Sequence, residues 1–296
     1  MDFGNKHQSD QHHLAVRHAP IQDLSNLRKT PLSDPTARDT AYALVLAGAR
    51  ASGDALATAH GVESKALIDI GGAPMLSRVL RALTQSGRLR AAPYVSGLAP
   101  DVLEKTRAGI AVNEALSVSG GPASSLLGAI DGGIQLPLLV TTCDHALLTA
   151  EMVDYFVKEA IRSGADLTVG LAAKDTIQAS YPETRRTYIP FGGAPMSGCN
   201  LFFINSPDAL KIIRFWQQAE QDRKKPLKIA WRFGPVTALR LLIGRPAVHR
   251  AFELISARLG ARAGVVVMPF AEAAIDVDSQ ADLDLVRSII AARRQG

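Results

Sequence analysis

A short apolar run that stops at a glycine constrains the fold of this chain more than any other feature. The run is Ala43–Ala47, with the sequence Ala-Leu-Val-Leu-Ala, and Gly48 follows it directly. Strands buried on both faces have continuous apolar sequences of this length, and the strands of parallel sheets are buried in that way. The run therefore predicts a central parallel strand that ends in a loop.

The residues after this run alternate between strand and helix patterns in units of roughly 20 to 30 residues, which is typical of a parallel α/β sheet. Strand patterns lie at 92–95, 110–112, 138–142, 166–171, 184–191, 199–204 and 264–268, and helix patterns lie at 74–85, 121–130, 150–162 and 207–219. Residues 226–260 predict two further helices divided at 244–246, and Ser279 predicts the N-cap of a last helix, with Asp282 in the capping-box position. We expect a three-layer α/β fold with a mostly parallel, twisted, Rossmann-like sheet and an added C-terminal helical segment.

The first 40 residues differ in character from the rest of the chain. They are rich in His, Gln, Asp, Ser and Pro, and their apolar residues follow neither the helix period nor the strand period. The sequence therefore predicts a flexible N-terminal arm over 1–40, followed by one domain over 41–296.

Positive charge is concentrated in one stretch of the domain. The chain has a formal net charge of +5, yet Lys211–Arg262 alone contains twelve Lys or Arg residues and three acids. This stretch predicts a basic helical insertion at about 206–260. Such a face can receive an anionic acceptor, rest on an anionic membrane, or be an ordinary solvated surface.

Composition excludes several classes of protein. Hydrophobic residues make up 47% of the chain and charged residues 21%, which argues against a disordered, collagen-like or coiled-coil protein. No apolar run approaches the roughly 18 to 20 residues of a membrane span, and the polar start lacks the order of a signal peptide, so we expect a cytoplasmic location. The two cysteines, Cys143 and Cys199, are interpreted as small packed residues, and any metal should have oxygen ligands.

The loop after the first predicted strand has the composition of a phosphate-binding site. Leu46–Gly48 ends the strand with small residues that let backbone amides approach a phosphate, and Arg50 and Lys65 can neutralise a triphosphate. Gly48 and Gly53 have the spacing of a P-loop, but Asp54 stands where that motif requires lysine, and its carboxylate would repel phosphate. A dinucleotide fingerprint fails as well, because four residues separate the two glycines.

This opening resembles that of nucleotidyltransferases with the glycosyltransferase-A (nucleotide-diphospho-sugar transferase) fold, in particular the group similar to molybdenum-cofactor guanylyl- and cytidylyltransferases. Leu46–Gly48, Arg50 and Lys65–Met75 follow that family's motif, whereas the missing second glycine and the longer interval from Arg50 to Lys65 depart from it. The resemblance covers roughly residues 41–287. It implies the transfer of a nucleoside monophosphate from an NTP.

Two further segments carry the resemblance on the substrate side. Gly120–Leu126 resembles the loop and helix start that recognise the base, which implies base contacts from Gly121, Pro122 and Ser125. The strand that contains Asn200 resembles the acceptor-side strand of such enzymes, where an asparagine meets a sugar or ribose.

Two acidic segments carry the resemblance on the metal side. Leu139–Asp144 resembles the strand whose terminal aspartate binds the metal, and Ile275–Leu283 resembles the segment that supplies a second ligand. The resemblance implies Mg²⁺ held by Asp144 and Asp278, with Asp276 as the alternative to Asp278.

The implied reaction is an attack by an oxygen of a small anionic acceptor on the α-phosphorus of the NTP, with pyrophosphate leaving. In that reaction Lys65 would contact the α-phosphate, Arg50 would contact the departing pyrophosphate, and the two aspartates would hold Mg²⁺. The sugar, polyol or pterin-like acceptor and the base of the NTP stay open, and we expect no nucleic-acid partner.

Other interpretations of the same residues are possible. Arg50 could pair with Asp54, and Lys65 could be a surface lysine. Asp144 could cap the following turn, and Asp278 could merely precede the helix cap. At the level of function, the alternatives are a nucleotide-sugar glycosyltransferase of the same fold, or a non-catalytic nucleotide-binding module that docks on membrane or nucleic acid.

Overall fold

The computed structural model describes residues 39–48, 53–115, 121–221 and 246–295. They belong to one compact unit, Leu32–Gly296, whereas the other unit, Met1–Pro31, lies outside the described residues. The predicted arm before residue 39, Arg50, Gly120 and the centre of the basic insertion also lie outside them.

One eight-stranded sheet forms the centre of the unit. Its strands are β1 (Tyr42–Leu46), β2 (Tyr94–Ser96), β3 (Asn113–Glu114), β4 (Leu138–Thr142), β5 (Leu167–Ala173), β6 (Ile189–Pro190), β7 (Pro195–Ile204) and β8 (Ala263–Val267). The strand order is β3-β2-β1-β4-β7-β5-β8, with β6 paired to β7. Every pairing is parallel except those of β7, which runs antiparallel to β4, β5 and β6. The predicted α/β class with a mostly parallel sheet is confirmed.

Helices flank this sheet. They are α1 (Ala55–Ala59), α2 (Met75–Gln85), α3 (Pro100–Arg107), α4 (Pro122–Asp131), α5 (Ala150–Ser163), α6 (Lys174–Ser180), α7 (Ala209–Gln221), α8 (Val248–Leu259) and α9 (Gln280–Arg293). Two 3₁₀ helices cover Lys65–Leu67 and Ala271–Ala274. Within the described ranges, no helix is both long and apolar enough to cross a membrane.

The alternation of side chains along β1 produces three layers. Ala43 and Val45 pack into an apolar cluster with residues of α2 and α5, whereas Leu44 and Leu46 pack into a second cluster with residues of α4 and α7. Because successive side chains of a strand point to opposite faces, one apolar run anchors helices on both sides of the sheet. The continuous apolar sequence of β1 is explained by this double burial.

A third apolar cluster holds the last helix against the start of the domain. Ile275, Val277 and the buried face of α9 pack on Ile68, Ile70 and other residues that follow Lys65 in the chain. Ser279 is the N-cap of α9, and Asp282 completes the capping box, as the sequence predicts. Residues more than 200 positions apart are thereby held side by side.

Most predicted elements are present, but the strand predicted at 184–191 is wrong, and the strand predicted at 110–112 is displaced to β3 at Asn113–Glu114. Only Ile189–Pro190 pairs with β7, at the edge of the sheet, and Ile189 is exposed. The sequence also predicts no helix at α1, α3 or α6, although all three are present. These helices have five to eight residues, too few turns for a periodic apolar pattern to show.

Candidate active site

A lysine held between two carboxylates lies at the carboxyl edge of the parallel strands. Lys65 Nζ lies 2.5 Å from Asp144 Oδ2 and 3.3 Å from Asp278 Oδ1. The Lys65 and Asp144 side chains are mostly buried, whereas Asp278 is 59% exposed. The three residues that the sequence proposes for phosphate and metal binding are therefore in contact.

Local hydrogen bonds fix the two carboxylates relative to each other. Asp144 follows the end of β4, and its Oδ1 accepts a hydrogen bond from Thr142 Oγ1. Its backbone carbonyl accepts from Val277 N at 3.1 Å, which places Asp278 next to it. The loop after β4 and the segment before α9 are thus joined by a backbone hydrogen bond.

The charge of Lys65 is secured by its neighbours. Burial by itself would lower the pKa of Lys65, but the carboxylates of Asp144 and Asp278 reverse that effect and raise the pKa above its ordinary value. Lys65 therefore stays a cation, although its side chain is only 17% exposed.

The predicted phosphate loop begins at the end of β1, beside Asp144. Leu46 O accepts a hydrogen bond from Cys143 N at 3.0 Å, and Ala47 N donates to Ser96 O at 2.8 Å. Gly97 follows with a φ of +96°, and a Cβ on it would lie 2.4 Å from Gly48 N. The backbones at positions 48 and 97 are therefore in a contact that excludes any side chain at Gly97.

The predicted base-recognition loop begins α4. Gly121 is the N-cap with a φ of +112°, Pro122 opens the helix, and Ser125 N donates to Gly121 O at 3.0 Å. A carboxylate from α7 also reaches this end, because Glu220 Oε2 accepts from Ala123 N at 3.4 Å. A hydrogen-bond acceptor thus lies where the resemblance places the base.

Asn200 and Asp276 form a second polar group beside the first. Opposite Gly170, β7 contains a bulge, and Asn200 in it has a φ of +49°. Its Nδ2 donates to Asp276 Oδ2 at 3.1 Å, while Arg186 Nη1 donates to Asp276 Oδ1 at 2.5 Å and Arg186 Nη2 pairs with Asp282. Asp278 contacts Lys65, whereas Asp276 serves this second network.

The donor set suits a hard cation that shares its ligands with a substrate. No group of three or more His, Cys, Asp or Glu side chains with the geometry of a metal site exists among the described residues. Asp144 and Asp278, however, direct two carboxylate oxygens at one positive point, Lys65 Nζ. Mg²⁺ in proteins is often held by one or two carboxylates together with substrate phosphates.

The neighbours of Asp144 are not reactive groups. Burial raises the pKa of Cys143 to about 12 and lowers the pKa of His145 to about 4. Cys143 therefore stays a thiol and His145 stays neutral at physiological pH, consistent with the interpretation of Cys143 as a packed residue. Burial likewise raises the pKa of Cys199.

Three site residues are absent from the sequence-based prediction. Arg186, Gly97 and Glu220 lie in segments without a motif, and each reaches the site through a contact distant in sequence. Of the three, only Gly97 has a signal in the sequence, because a glycine shortly after a predicted strand indicates a tight turn. The position of Arg50 lies outside the described residues, so its role stays a prediction.

Comparisons with known proteins agree with this geometry. Residues 43–226 match a family model described as the MobA-like NTP transferase domain. A solved structure of a hypothetical transferase from Thermus thermophilus is 30% identical, with a TM-score of 0.70, and the alignment covers 82% of this chain and 99% of that one. A CMP:2-keto-3-deoxy-manno-octonic acid synthetase complexed with CTP has the same fold at 14% identity, with a TM-score of 0.52 and coverage of 86% and 99%. A search of curated protein sequences gives no significant match.

Proposed function

This chain belongs to the MobA-like NTP transferase family, and from that premise we propose that it transfers an NMP group to a small phosphorylated acceptor. The chain is a nucleotidyltransferase; the acceptor class, the Mg²⁺ requirement and the release of pyrophosphate are the new parts of the proposal. The contact of Lys65 with Asp144 and Asp278 supports the Mg²⁺ requirement and the attack at the α-phosphorus. The acceptor class rests on the family resemblance.

Lys65 is the group that we assign to the α-phosphate. In the reaction, an acceptor oxygen forms a bond to the α-phosphorus while the bond to the oxygen that bridges to the β-phosphate breaks. Negative charge accumulates on the oxygens around phosphorus, and a fixed cation in a mostly buried site stabilises that charge strongly. Lys65 meets this requirement because two carboxylates hold it in place and keep it protonated.

Asp144 and Asp278 are the residues that we assign to Mg²⁺. When bound, Mg²⁺ would neutralise part of the triphosphate charge and favour the departure of pyrophosphate. Asp144 is fixed by Thr142 and by the backbone of Val277, whereas the exposed Asp278 has room to adjust when substrate arrives. Arg50 is assigned to the leaving pyrophosphate on the basis of the sequence motif alone.

The remaining predicted residues divide into two substrate contacts. We assign the backbone of Leu46, Ala47 and Gly48 to the phosphates, since Leu46 O accepts from Cys143 N, the residue before Asp144. We assign the base to the start of α4, with Gly121, Pro122 and Ser125, and the acceptor or ribose to Asn200. Asn200 is joined to Asp276 and therefore lies next to the segment that contains Asp278.

The direct test is a substrate screen. Purified protein is incubated with each of the four NTPs, with Mg²⁺ or EDTA, and with a panel of sugar, polyol and pterin phosphates, and pyrophosphate is measured. We expect pyrophosphate with one NTP and one acceptor class, in the presence of Mg²⁺ only. Release of nucleoside diphosphate from nucleotide sugars, with no pyrophosphate from any NTP, would show glycosyl transfer instead.

Substitutions at the lysine and its partners test the proposed roles. Lys65→Ala and Asp144→Asn should each lower kcat at least 100-fold, because the charge that develops at phosphorus loses its stabilising groups. Lys105→Ala is the matched control. Like Lys65, Lys105 contacts two carboxylates, those of Glu63 and Asp101, each at 3.3 Å, but it lies on the surface. Its kcat should be unchanged.

The choice between the two C-terminal aspartates has its own test. Asp278→Asn should raise the Mg²⁺ concentration that gives half-maximal activity, and Asp276→Asn should have a smaller effect on it. Near-normal turnover in Lys65→Ala would remove the proposed site, and a larger effect at Asp276 would shift the assignment of the metal ligand by two residues.

A further inference from the structure

Three arginines converge on a single backbone turn, which is separate from the contact of Lys65 with its two carboxylates. The turn spans residues 69–74, between the Lys65 helix and α2. Arg287 Nη2 donates to Asp69 O at 2.7 Å, Arg78 Nε donates to Ile70 O at 2.7 Å, and Arg294 Nη2 donates to Gly71 O. Three consecutive carbonyl groups therefore hold three guanidinium groups side by side.

The guanidinium groups crowd around Gly71. This glycine has a φ of +60°, and a Cβ on it would lie 3.1 Å from Arg78 Nη2 and 3.5 Å from Arg294 Cζ. Burial and the neighbouring Arg294 lower the pKa of Arg78, as expected where like charges are close. The turn thus brings cations together at a cost in electrostatic free energy.

No close ion pair neutralises these arginines in the part of the chain that the structure describes, although the Asp69 carboxylate partly offsets the charge around Arg78. Arg78, Arg287 and Arg294 form no salt bridge with any described carboxylate. The nearby Asp69 accepts a hydrogen bond from Gly72 N at 3.0 Å, which directs its Oδ1 into the turn. The arginines are held by carbonyl dipoles and have charge to offer a ligand.

A cavity of about 420 Å³ opens beside these arginines. Its lining includes Arg287, Arg294, Asp69 and Gly71, together with Gln295. Cavities of roughly 300 to 1,000 Å³ accommodate small molecules rather than macromolecules. A guanidinium group has five N–H donors in a planar fork, and those not bonded to carbonyls can bind the oxygens of a phosphate.

We propose that this cavity binds a small molecule with one or more phosphate groups, at a site separate from the active site. The ligand would contact Arg287 and Arg294 directly and would relieve the repulsion among the three guanidinium groups. The turn follows the Lys65–Leu67 helix in the chain, and it is hydrogen-bonded to Arg287 of α9, the helix that begins just after Asp278. The site therefore lies next to elements that continue from Lys65 and from Asp278.

The probe is pyrophosphate, and its binding to the purified protein is measured by titration calorimetry in the presence of EDTA. EDTA suppresses binding that depends on a divalent cation, and the Arg50→Gln/Lys65→Gln double variant removes the cations of the active site. We expect wild type and this double variant to bind pyrophosphate equally. The Arg287→Gln/Arg294→Gln double variant should bind at least tenfold more weakly, because two of the three guanidinium groups are lost.

A charge added to the cavity wall keeps the proposal testable if the arginine variant does not fold. Gln295→Glu places a carboxylate in the cavity without removing an arginine, and it should weaken pyrophosphate binding at least tenfold. Ala292→Glu, an exposed position on α9 outside the cavity lining, is the matched control with the same change of charge and should weaken binding far less. Equal binding by wild type and Gln295→Glu would overturn the proposal, as would loss of binding in Arg50→Gln/Lys65→Gln.

Discussion

Asp54 decides between two interpretations of the glycine loop. It occupies the position at which a P-loop requires lysine, and its Oδ1 accepts hydrogen bonds from Leu56 N and Ala57 N at 2.9 and 3.1 Å. It is therefore the N-cap of α1, a role that aspartate fills well because its carboxylate satisfies amides at the start of a helix. The side chain that excludes a P-loop has a structural function of its own.

His145 makes stability depend on pH. Burial lowers its pKa in the folded protein to about 4, below the value of about 6.5 in an unfolded chain. Above pH 6.5 His145 is neutral in both the folded and the unfolded state, and the free energy of unfolding is not reduced by its protonation. As pH falls from 6.5 toward 4, only the unfolded state takes up the proton, so stability is lost by about 1.4 kcal/mol per pH unit.

His145→Gln should therefore flatten the pH dependence of unfolding. Between pH 6.5 and 4.5, the free energy of unfolding of wild type should fall by about 2 to 3 kcal/mol more than that of the variant. Urea denaturation at several pH values measures this difference. His249→Gln, at an exposed position on α8, is the control, and an equal slope in wild type and His145→Gln would contradict the prediction.

Single site residues differ in how far the sequence can identify them. Lys65, Asp144 and Asp278 follow motifs that require their chemistry at those positions, and the structure brings them into contact. Arg186 is different, because its two carboxylate partners lie 90 and 96 positions away and nothing near it in the sequence indicates them. Long-range partners of this kind require the fold.

At the scale of elements, Arg186 links the segment between α6 and β6 to the segment that leads into α9. Its side chain is only 7% exposed and bridges Asp276 and Asp282, which flank Asp278. Arg186→Gln should lower the free energy of unfolding by about 2 to 3 kcal/mol, as loss of charged hydrogen bonds does, and should lower kcat at least tenfold. Because Arg186 holds the residues on both sides of Asp278, we expect the variant also to need more Mg²⁺ for half-maximal activity.

Arg293→Gln is the control for that prediction. Arg293 forms an ion pair with Glu272 at 3.3 Å, farther from Asp278 and more exposed. Its removal should leave kcat and the Mg²⁺ requirement unchanged. Equal Mg²⁺ requirements in wild type and Arg186→Gln, even with reduced stability, would mean that Arg186 is structural only.

The turn after β2 packs against the predicted phosphate loop after β1. Gly97→Ala should force Gly48 to move, because the added Cβ would lie 2.4 Å from Gly48 N and the residue would keep a φ near +96°. We expect a loss of about 1 to 3 kcal/mol in unfolding free energy and at least a tenfold higher KM for the NTP. Urea denaturation and steady-state kinetics measure the two effects.

Gly109→Ala separates strain from contact in this prediction. Gly109 has a φ of +76° and no atom within 4 Å of an added Cβ, so the substitution introduces strain alone. It should cost about 1 kcal/mol in stability and leave the KM unchanged. Equal KM values in the two alanine variants would mean that the phosphate loop does not depend on Gly97.

The buried strands are the elements that the sequence predicts best. The five-residue runs predicted at β1 and β4 agree with the structure to within one residue, because burial on both faces leaves no charged position in either strand. Short surface helices and the polar segment 184–191 are predicted poorly, since their conformation depends on contacts with distant segments such as that of Arg186 to Asp276.

Across the whole molecule, the charge of Lys211–Arg262 belongs to none of the motifs of the nucleotide site. Reversing Lys224, Lys225 and Lys228 to glutamate should raise KM for the acceptor roughly tenfold, with KM for the NTP unchanged, if this stretch attracts an anionic acceptor. Sedimentation with anionic vesicles is the second measurement. If wild type sediments with the vesicles and the variant does not, while the kinetics are unchanged, the stretch is a membrane contact instead. If neither quantity changes, the stretch is an ordinary charged surface.

The hydrogen bond from Val277 to Asp144 and the contact of Lys65 with Asp278 have a consequence for the newly made protein. Lys65 leaves the ribosome 213 residues before Asp278, a delay of roughly 10 to 40 s at ordinary rates of synthesis. During that interval the sheet can begin to form. Lys65 still lacks the carboxylate of Asp278, and the apolar residues that follow Lys65 still lack α9 as a packing partner. If Asp278 has the role proposed here, activity requires that synthesis has passed this residue, and a chain cut short before Ile275 should be inactive even where its strands have paired.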